Sequence, residues 1–263
     1  MSFGHRIWWV DAFIGDAERG NPAVVVLLER PLPDDELQRI AFELAVSETV
    51  FLRRIGDGWS LRWFTPTIEV DLGGHATLAA LHVLVSELGV PGGELVFETR
   101  AGLLSGRRLG DGLLGVDLPR ADLSPLPVDV LNGTMGDVTE VYSAGPHSVL
   151  AVLEDYDALC SLAIDPMSLF LVPSELVIAV CEGGPRVDVS LRVFAPQLGL
   201  TEDHVTGSAM CAIAPWWVER VGSPTVSAYQ ASARGGVMHA RLFERTVEVA
   251  GLARTFFGGD LRG

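Results

Sequence analysis

Glu48 is the residue of this chain best suited, by type and setting, to move a proton. It follows Ser47 at the point where an amphipathic helix pattern ends and an apolar strand pattern begins. Partial burial at such a boundary raises the pKa of a carboxyl group, and a raised pKa suits a general base that takes a proton from carbon. The alternative interpretation of Glu48 is a solvated side chain at a helix end.

Two apolar helix patterns begin with a glycine followed by a polar residue, Gly74-His75 and Gly207-Ser208. The free N–H groups and the dipole of a helix start favour a substrate carboxylate or a developing enolate oxygen. Because the dipole disfavours an imidazolium ion, His75 is predicted to be a neutral hydrogen-bonding or proton-relaying partner. His75 could equally be an ordinary satisfied polar residue. The matching position of Ser208 in the second pattern favours the functional interpretation.

Asp203 lies four residues before Gly207. An aspartate ahead of a helix is by default an N-cap, but this spacing is long for a simple cap. We therefore expect its side chain to point into a cleft, where it would hold a substrate ammonium or hydroxyl group.

The elements that carry these residues occur twice. LRWFTP at Leu61–Pro66 returns 130 residues later as LRVFAP at Leu191–Pro196, and a glycine-led apolar stretch follows each copy. Such a repeat indicates duplication, and two facing halves would bring two helix starts to one cleft.

The pattern of elements predicts an α+β fold of two similar domains, each a curved, mostly antiparallel sheet around one hydrophobic helix. The two central helices are predicted from about 75 to 88 and from about 207 to 221. The domains are expected at 1–118 and 129–263, with the proline-rich segment 119–128 as a linker and with the last residues able to pack on the first domain. Asp34 is predicted to cap the first helix. The G-x-G-x-x-G match at Gly110–Gly115 lacks a following helix and is interpreted as a hairpin turn.

Composition excludes several classes of partner. The 263 residues carry a formal net charge of −15, with no basic cluster, so nucleic acid is not an expected partner. No apolar run approaches the roughly 18 residues that a membrane span needs. Three cysteines suggest reduced thiols, and the cytoplasm is the expected compartment.

Several motifs in order give the chain a family resemblance. VDAF and GNPAVVV near the start, SETVFL, the two glycine motifs and QASARGG at Gln230–Gly236 resemble the PhzF-like isomerase family, which shares the diaminopimelate-epimerase-like fold. The resemblance covers nearly the whole chain. It implies two domains, each a barrel-like sheet around a central helix.

The resemblance also implies a reaction and a set of site residues. The reaction is cofactor-free proton transfer on a small unsaturated amino or carboxylic acid, which in the phenazine branch is an allylic 1,3-hydrogen shift in secondary metabolism. The implied catalytic residues are Glu48, His75 and Asp203. The residues expected to bind substrate are Ser47, Gly74, Gly207 and Ser208. Two departures from the family pattern, Ala45 and His204, point to a different pocket and leave the substrate open.

Alternatives remain. A same-fold isomerase of a cyclic imino acid and a non-catalytic scaffold both fit the fold. The two-thiol racemase mechanism of the superfamily needs cysteines where this chain has Gly73 and Thr206, which argues against it. No H-x-H or H-x-x-x-H pair occurs, so no metal is expected, and the resemblance implies no cofactor. Glu175, which echoes Glu48 in the second half, is expected to be structural, and a homodimer is the expected assembly.

Overall fold

The computed structural model describes residues 4–91, 93–131 and 133–261, and the chain divides into two compact units. The first unit comprises 1–118 and 249–263, and the second comprises 119–248. The elements that begin in the first unit are β1 (His5–Ile14), β2 (Asn21–Leu28), α1 (Asp34–Leu44), β3 (Glu48–Ile55), β4 (Gly58–Phe64), β5 (Glu69–Val70), α2 (Gly74–His82), β6 (Leu95–Thr99), β7 (Gly102–Arg108) and β8 (Leu114–Pro119). Those that begin in the second unit are β9 (Leu123–Leu126), β10 (Val138–Ala144), β11 (Ser148–Leu153), α3 (Tyr156–Ser161), α4 (Pro166–Leu169), β12 (Leu176–Glu182), β13 (Val189–Ala195), β14 (Leu200–Asp203), α5 (Met210–Val221), β15 (Thr225–Gln230), β16 (Gly236–Leu242) and β17 (Thr246–Leu261).

The sheet of the first unit closes on itself. Its strands pair in the order β1, β2, β3, β4, β6, β7, β8 and β17, and β17 pairs again with β1. The pairs β2–β3 and β4–β6 are parallel, with a helix in each crossover, whereas β1–β2, β3–β4, β6–β7, β7–β8 and β1–β17 are antiparallel. The second unit repeats this order, with parallel pairs β11–β12 and β13–β15. The predicted fold class, with its barrel-like sheets, is confirmed.

Three segments can be compared with the domain limits and turns expected from the sequence. The prediction assigned 249–263 to the second repeat but allowed the last residues to pack on the first domain, and β17 continues beyond residue 249 and pairs with β1 from Leu252 to Leu261. The expected linker 119–128 contains β9, which pairs with β10 in the second unit. The hairpin predicted around Gly110–Gly115 is confirmed, since β7 and β8 are antiparallel on either side of a short turn.

Helix α2 fills the barrel of the first unit. Every residue from Gly74 to Leu81 is buried, as its uniformly apolar sequence predicts. The α-helical hydrogen bonding ends at His82, and a π-helical turn, Val83–Glu87, completes the segment predicted as one helix. In the second unit a short 3₁₀ turn, Gly207–Ala209, leads into α5. No helix in the described part of the chain is long and apolar enough to cross a membrane.

An arginine pair shows how closely the two units repeat each other. Arg62 in β4 makes a bidentate ion pair with Glu69, and Arg192 in β13 makes the same pair with Glu202. Bidentate pairing fixes both the distance and the orientation of the carboxylate. Because each glutamate stands five residues before the first glycine of its helix motif, these pairs anchor the two site-bearing loops in the same way.

The N-terminus of α1 differs from the prediction. The N-cap position is Pro33, and Asp34 is the first helical residue, with no side-chain cap hydrogen bond. The Asp34 carboxylate instead contacts the Arg62 guanidinium at 2.7 Å. The prediction that Asp34 caps the helix was therefore wrong, because a cation that is distant in sequence competes for its carboxylate.

Ala45 terminates α1 in the left-handed conformation, with φ 50° and ψ 35°. Alanine pays a steric penalty there that glycine avoids. We expect Ala45→Gly to raise the free energy of unfolding by about 1 kcal/mol and Ala45→Val to lower it, because a β-branched side chain fits this conformation poorly. Urea unfolding would measure both variants. Equal or reversed changes in the free energy of unfolding of the two variants would contradict the left-handed conformation of Ala45 as the cause.

His82 makes the stability of the first unit dependent on pH. Its Nε2 lies 3.0 Å from the Thr255 hydroxyl, which donates to Glu87. Burial lowers the pKa of His82, although the Glu87 carboxylate opposes that shift. The folded state therefore binds the proton less readily than the unfolded chain, whose histidine pKa is about 6.5. This contribution to stability is fully present above that value and is lost as the pH falls through the lowered folded-state pKa.

We therefore expect the free energy of unfolding to fall between pH 7 and pH 5, and to fall less in His82→Gln. Urea unfolding at several pH values would measure it, with His239→Gln as a surface control. An identical pH dependence in wild type and His82→Gln would contradict the assignment.

Candidate active site

Glu48 is the first residue of β3, and its side chain is largely buried. It is paired in register with Ala23 of the parallel strand β2. The side chain is 14% exposed, so it keeps a limited opening to solvent. Alternation along β3 puts Glu48 on the same face as Val50 and Leu52, and the apolar composition of that face withdraws the carboxylate from water.

His75 lies beside this carboxylate. It is the second residue of α2 and is 3% exposed. Its Nδ1 is 3.7 Å from Glu48 Oε2. The two residues that the sequence singled out for proton transfer are therefore neighbours, although 27 positions separate them in the chain.

Ser47 fixes the other side of the imidazole ring. Its Oγ lies 2.7 Å from the Pro22 carbonyl oxygen, 2.8 Å from Asn21 Oδ1 and 3.4 Å from His75 Nε2. Because the Pro22 carbonyl can only accept, the serine hydroxyl donates toward that strand, and the serine oxygen can accept from His75 in the tautomer that carries a proton on Nε2. In the other neutral tautomer the ring proton is on Nδ1 and faces the Glu48 carboxylate.

The start of α2 provides backbone donors next to this pair. Gly73 is the N-cap residue and Gly74 the first helical residue, and the first N–H groups of a helix have no partner within the helix. A Cβ at Gly73 would lie 2.3 Å from Glu48 Oε2 and 2.7 Å from Trp63 Cδ1. Glycine at this position is therefore what lets the carboxylate reach the helix start.

Asp203 is held by its own loop in the second unit. Its carboxylate accepts from the Thr206 hydroxyl at 2.6 Å and from the His204 N–H at 2.9 Å. Gln230, which is fully buried, accepts from the Thr206 N–H and donates to the Asp203 carbonyl. These bonds orient the carboxylate while leaving it further acceptor capacity for a ligand ammonium or hydroxyl group.

Gly207 and Ser208 open the 3₁₀ turn that leads into α5. Thr206 is the N-cap residue of that turn, where the first unit has Gly73, and Ser208 occupies the place of His75. Gly207 is buried and Ser208 partly buried. The structure thus groups Asp203, Gly207 and Ser208 within one unit, and Ser47, Glu48, Gly74 and His75 within the other.

His204 is half-buried beside Asp203, and burial lowers the pKa of its imidazole, against the raising effect of the Asp203 charge. Its backbone is held on both sides, since its N–H donates to Asp203 and its carbonyl accepts from the Ser232 hydroxyl at 2.6 Å. His204 therefore presents a neutral imidazole near neutral pH.

Glu175 is the structural echo of Glu48. Ser174 donates to the His147 carbonyl just before β11, as Ser47 does to Pro22 at the start of β2. The Glu175 side chain is 45% exposed and contacts His147 at 3.2 Å. The backbone arrangement of Ser47 and Glu48 recurs at Ser174 and Glu175, but the burial of the glutamate side chain does not.

None of the three cysteines occupies a glycine motif, although Cys211 lies in the first turn of α5. Cys160 is exposed, and burial raises the pKa of Cys181 to about 11 and that of Cys211 to about 12. Thiols with such values stay protonated near neutral pH and are poor bases. Over the described part of the chain, His, Cys, Asp and Glu side chains form no group of three or more that could hold a metal ion.

A family model described as "Phenazine biosynthesis-like protein" matches residues 10–259. The chain belongs to this family. The match includes both units and every site residue discussed above, so the family resemblance predicted from the motifs is confirmed.

Individual members of the family agree with this assignment. An uncharacterized isomerase of Pseudomonas aeruginosa is 39% identical over 266 residues, covering 96% of this chain and 97% of that protein. A solved PhzF family protein of Enterococcus faecalis has a TM-score of 0.88 at 34% identity, covering 98% of this chain and 99% of that one. The predicted enzyme class, an isomerase, is confirmed at the level of the family.

A more distant structure shares only the fold. A hydroxyproline epimerase from Agrobacterium vitis has a TM-score of 0.72 at 13% identity, covering 100% of this chain and 94% of that one. It supports the diaminopimelate-epimerase-like architecture predicted from the sequence.

Sequence reasoning about this family member missed several supporting residues. Gln230 was noted only as part of a motif and Thr206 only as a position without cysteine, yet both hold Asp203. Asn21 and Trp63 were given no role. A buried amide at the end of an apolar strand, as in the sequence TVSAYQ, was the available signal for Gln230.

Proposed function

We propose that this protein is a cofactor-independent isomerase that moves a hydrogen, with its double bond, along a small unsaturated amino or carboxylic acid. The observation that carries the proposal is the buried Glu48 carboxylate, 3.7 Å from His75 at the start of α2. A base of this kind, next to backbone donors, suits proton abstraction from a carbon adjacent to a conjugated system.

In the proposed reaction Glu48 removes a proton from the substrate carbon. The C–H bond breaks, an O–H bond forms on Glu48, and the electron pair is delocalised through the double bond into the carbonyl or carboxyl group. The N–H groups at Gly74 and His75 stabilise the negative charge that develops there. The protonated Glu48 then returns the hydrogen to the carbon two atoms away, on the same face of the substrate.

The remaining site residues bind and orient the substrate. His75, with its ring held by Ser47, offers Nδ1 at the edge of the reaction zone. We assign Asp203 to a substrate ammonium or hydroxyl group, and Gly207 with Ser208 to a second polar group. No step in this scheme needs a metal or an organic cofactor.

The two-thiol epimerase route is incompatible with this chain. A side chain at Gly73 would collide with Glu48 and Trp63, and Thr206 occupies the corresponding N-cap of the second unit. Glu48 occupies the space that the first thiol would need. A single-carboxylate mechanism is therefore the one that the first unit can accommodate.

Proton NMR in D2O tests the proposal. Wild-type protein would be incubated with trans-2,3-dihydro-3-hydroxyanthranilate, other unsaturated amino and carboxylic acids, and cyclic imino acids, with saturated analogues as controls. We expect loss or migration of a C–H signal in one unsaturated class only. Reaction of a cyclic imino acid alone would replace the proposed substrate class. Absence of both reaction and thermal stabilisation across the panel would favour a scaffold.

A further inference from the structure

Trp63 carries a buried polar atom that the mechanism above does not use. Its side chain is 1% exposed, and the indole Nε1 has no hydrogen-bond partner among the described residues. A buried indole N–H normally finds a partner, and an unsatisfied donor is costly. The surroundings of this N–H group indicate which acceptor it can bond to.

The pyrrole edge of the Trp63 ring borders the Glu48 carboxylate. Trp63 pairs with Val50 across β3 and β4, so it stands on the same face of the sheet as Glu48. The point where a Gly73 side chain would begin is 2.7 Å from Trp63 Cδ1 and 2.3 Å from Glu48 Oε2. It is also 2.9 Å from Trp63 Cγ, so the Cγ–Cδ1 side of the pyrrole ring and the Glu48 carboxylate bound one small space that glycine keeps open, and Nε1 is the ring atom bonded to Cδ1.

The second unit lacks both members of this arrangement. Val193 stands in the repeated strand where the first unit has Trp63, and the echo of Glu48 is the half-exposed Glu175. The indole thus occurs in the unit that has the buried carboxylate and is replaced by an aliphatic residue in the unit that does not.

We propose that Trp63 is the positioning residue for Glu48, whose ionised carboxylate takes the indole N–H as a hydrogen-bond donor. This role rests on the proposed function of Glu48 as the proton carrier. The terminal torsion of Glu48 is soft, so its carboxylate can rotate to align an oxygen with the indole N–H at little cost. When Glu48 binds a proton, the hydrogen bond from the indole N–H weakens. Trp63 therefore stabilises the ionised carboxylate before proton abstraction and holds the protonated carboxyl group less strongly afterwards.

The indole signal itself provides a test that needs no substrate. The protein would be labelled with ¹⁵N-tryptophan, and the Trp63 signal would be identified among the six by its loss in Trp63→Phe. We expect the Trp63 Nε1–H shift to follow pH with one transition in wild type, and to lose that transition in Glu48→Gln. Trp216 and Trp217, whose indole N–H groups also lack a partner among the described residues, are matched references. A pH-independent Trp63 signal, or a transition that persists in Glu48→Gln, would overturn the proposal.

Turnover gives a second readout once a substrate is known. In Trp63→Phe we expect the acid limb of the kcat/KM profile to move to higher pH by about one pH unit, with a roughly tenfold loss below that limb and a smaller loss above it. A uniform loss at all pH values would indicate a packing defect and contradict the proposal. Failure to find any substrate would count against the proposed function alone, because the indole titration would still decide the role of Trp63.

Discussion

Glu48→Gln is expected to lower kcat by at least about 10³-fold while substrate binding persists. Glutamine has nearly the same shape and keeps an oxygen acceptor, but it cannot take a proton from carbon. The carboxylate that lies 3.7 Å from His75 is the one removed, so the variant lacks the proposed base. Steady-state turnover would measure kcat, and thermal stabilisation by substrate would measure binding.

Glu175→Gln is the matched control. It removes the same charge from the equivalent position of the second unit, where the side chain is exposed and paired with His147. We expect it to leave kcat within about twofold of wild type. Equal losses in the two variants would mean that net charge, and not proton transfer by Glu48, determines the rate.

Gly73→Ala is expected to lower kcat by about 10²-fold and to destabilise the fold by about 1–3 kcal/mol. Its new Cβ would lie 2.3 Å from Glu48 Oε2 and 2.7 Å from a ring carbon of Trp63, both shorter than real contacts. Trp63 is buried and cannot move aside, so the carboxylate must leave its place. The backbone at Gly73 has φ −125°, which any residue adopts, and the effect is therefore steric.

Gly110→Ala is the control for this substitution. A Cβ at Gly110 meets no atom within 4 Å, so we expect stability and kcat to stay near wild type. Turnover and urea unfolding of both variants would separate the steric effect from a general cost of replacing glycine. Wild-type activity in Gly73→Ala would show that Glu48 does not act from the position seen here.

Much of the fold follows from local patterns. The apolar composition of Ala76–Leu81 predicts a helix buried on all sides, and the repeated LR-x-F strands predict two similar units, since both signals depend on neighbours in sequence. The length of β17 could not be predicted in this way. Its second half, rich in glycine and polar residues, is a strand because it pairs with β1, more than 200 residues earlier.

The candidate site, like the fold, could be predicted only in part from the sequence. The sequence singled out Glu48 and His75 by residue type and motif, and the structure brings them together. It could not show that Gly73 makes room for the carboxylate or that Trp63 borders it, because these contacts join β3, β4 and the start of α2. The support of Asp203 by Gln230 likewise crosses 27 residues. Local pattern identifies reactive side chains, whereas long-range packing decides what surrounds them.

The most direct test of the account is the isotopic content of the product formed in D2O. With wild-type protein and the substrate found in the NMR panel, we expect the new hydrogen to arrive on the face from which the first proton left. Deuterium should enter that carbon only to the extent that the Glu48 carboxyl exchanges with solvent before it returns the hydrogen. Glu48→Gln should form neither product nor label, while Glu175→Gln should match wild type. Labelling by Glu48→Gln at the wild-type rate, or delivery to the opposite face, would contradict a single carboxylate that both removes and returns the proton.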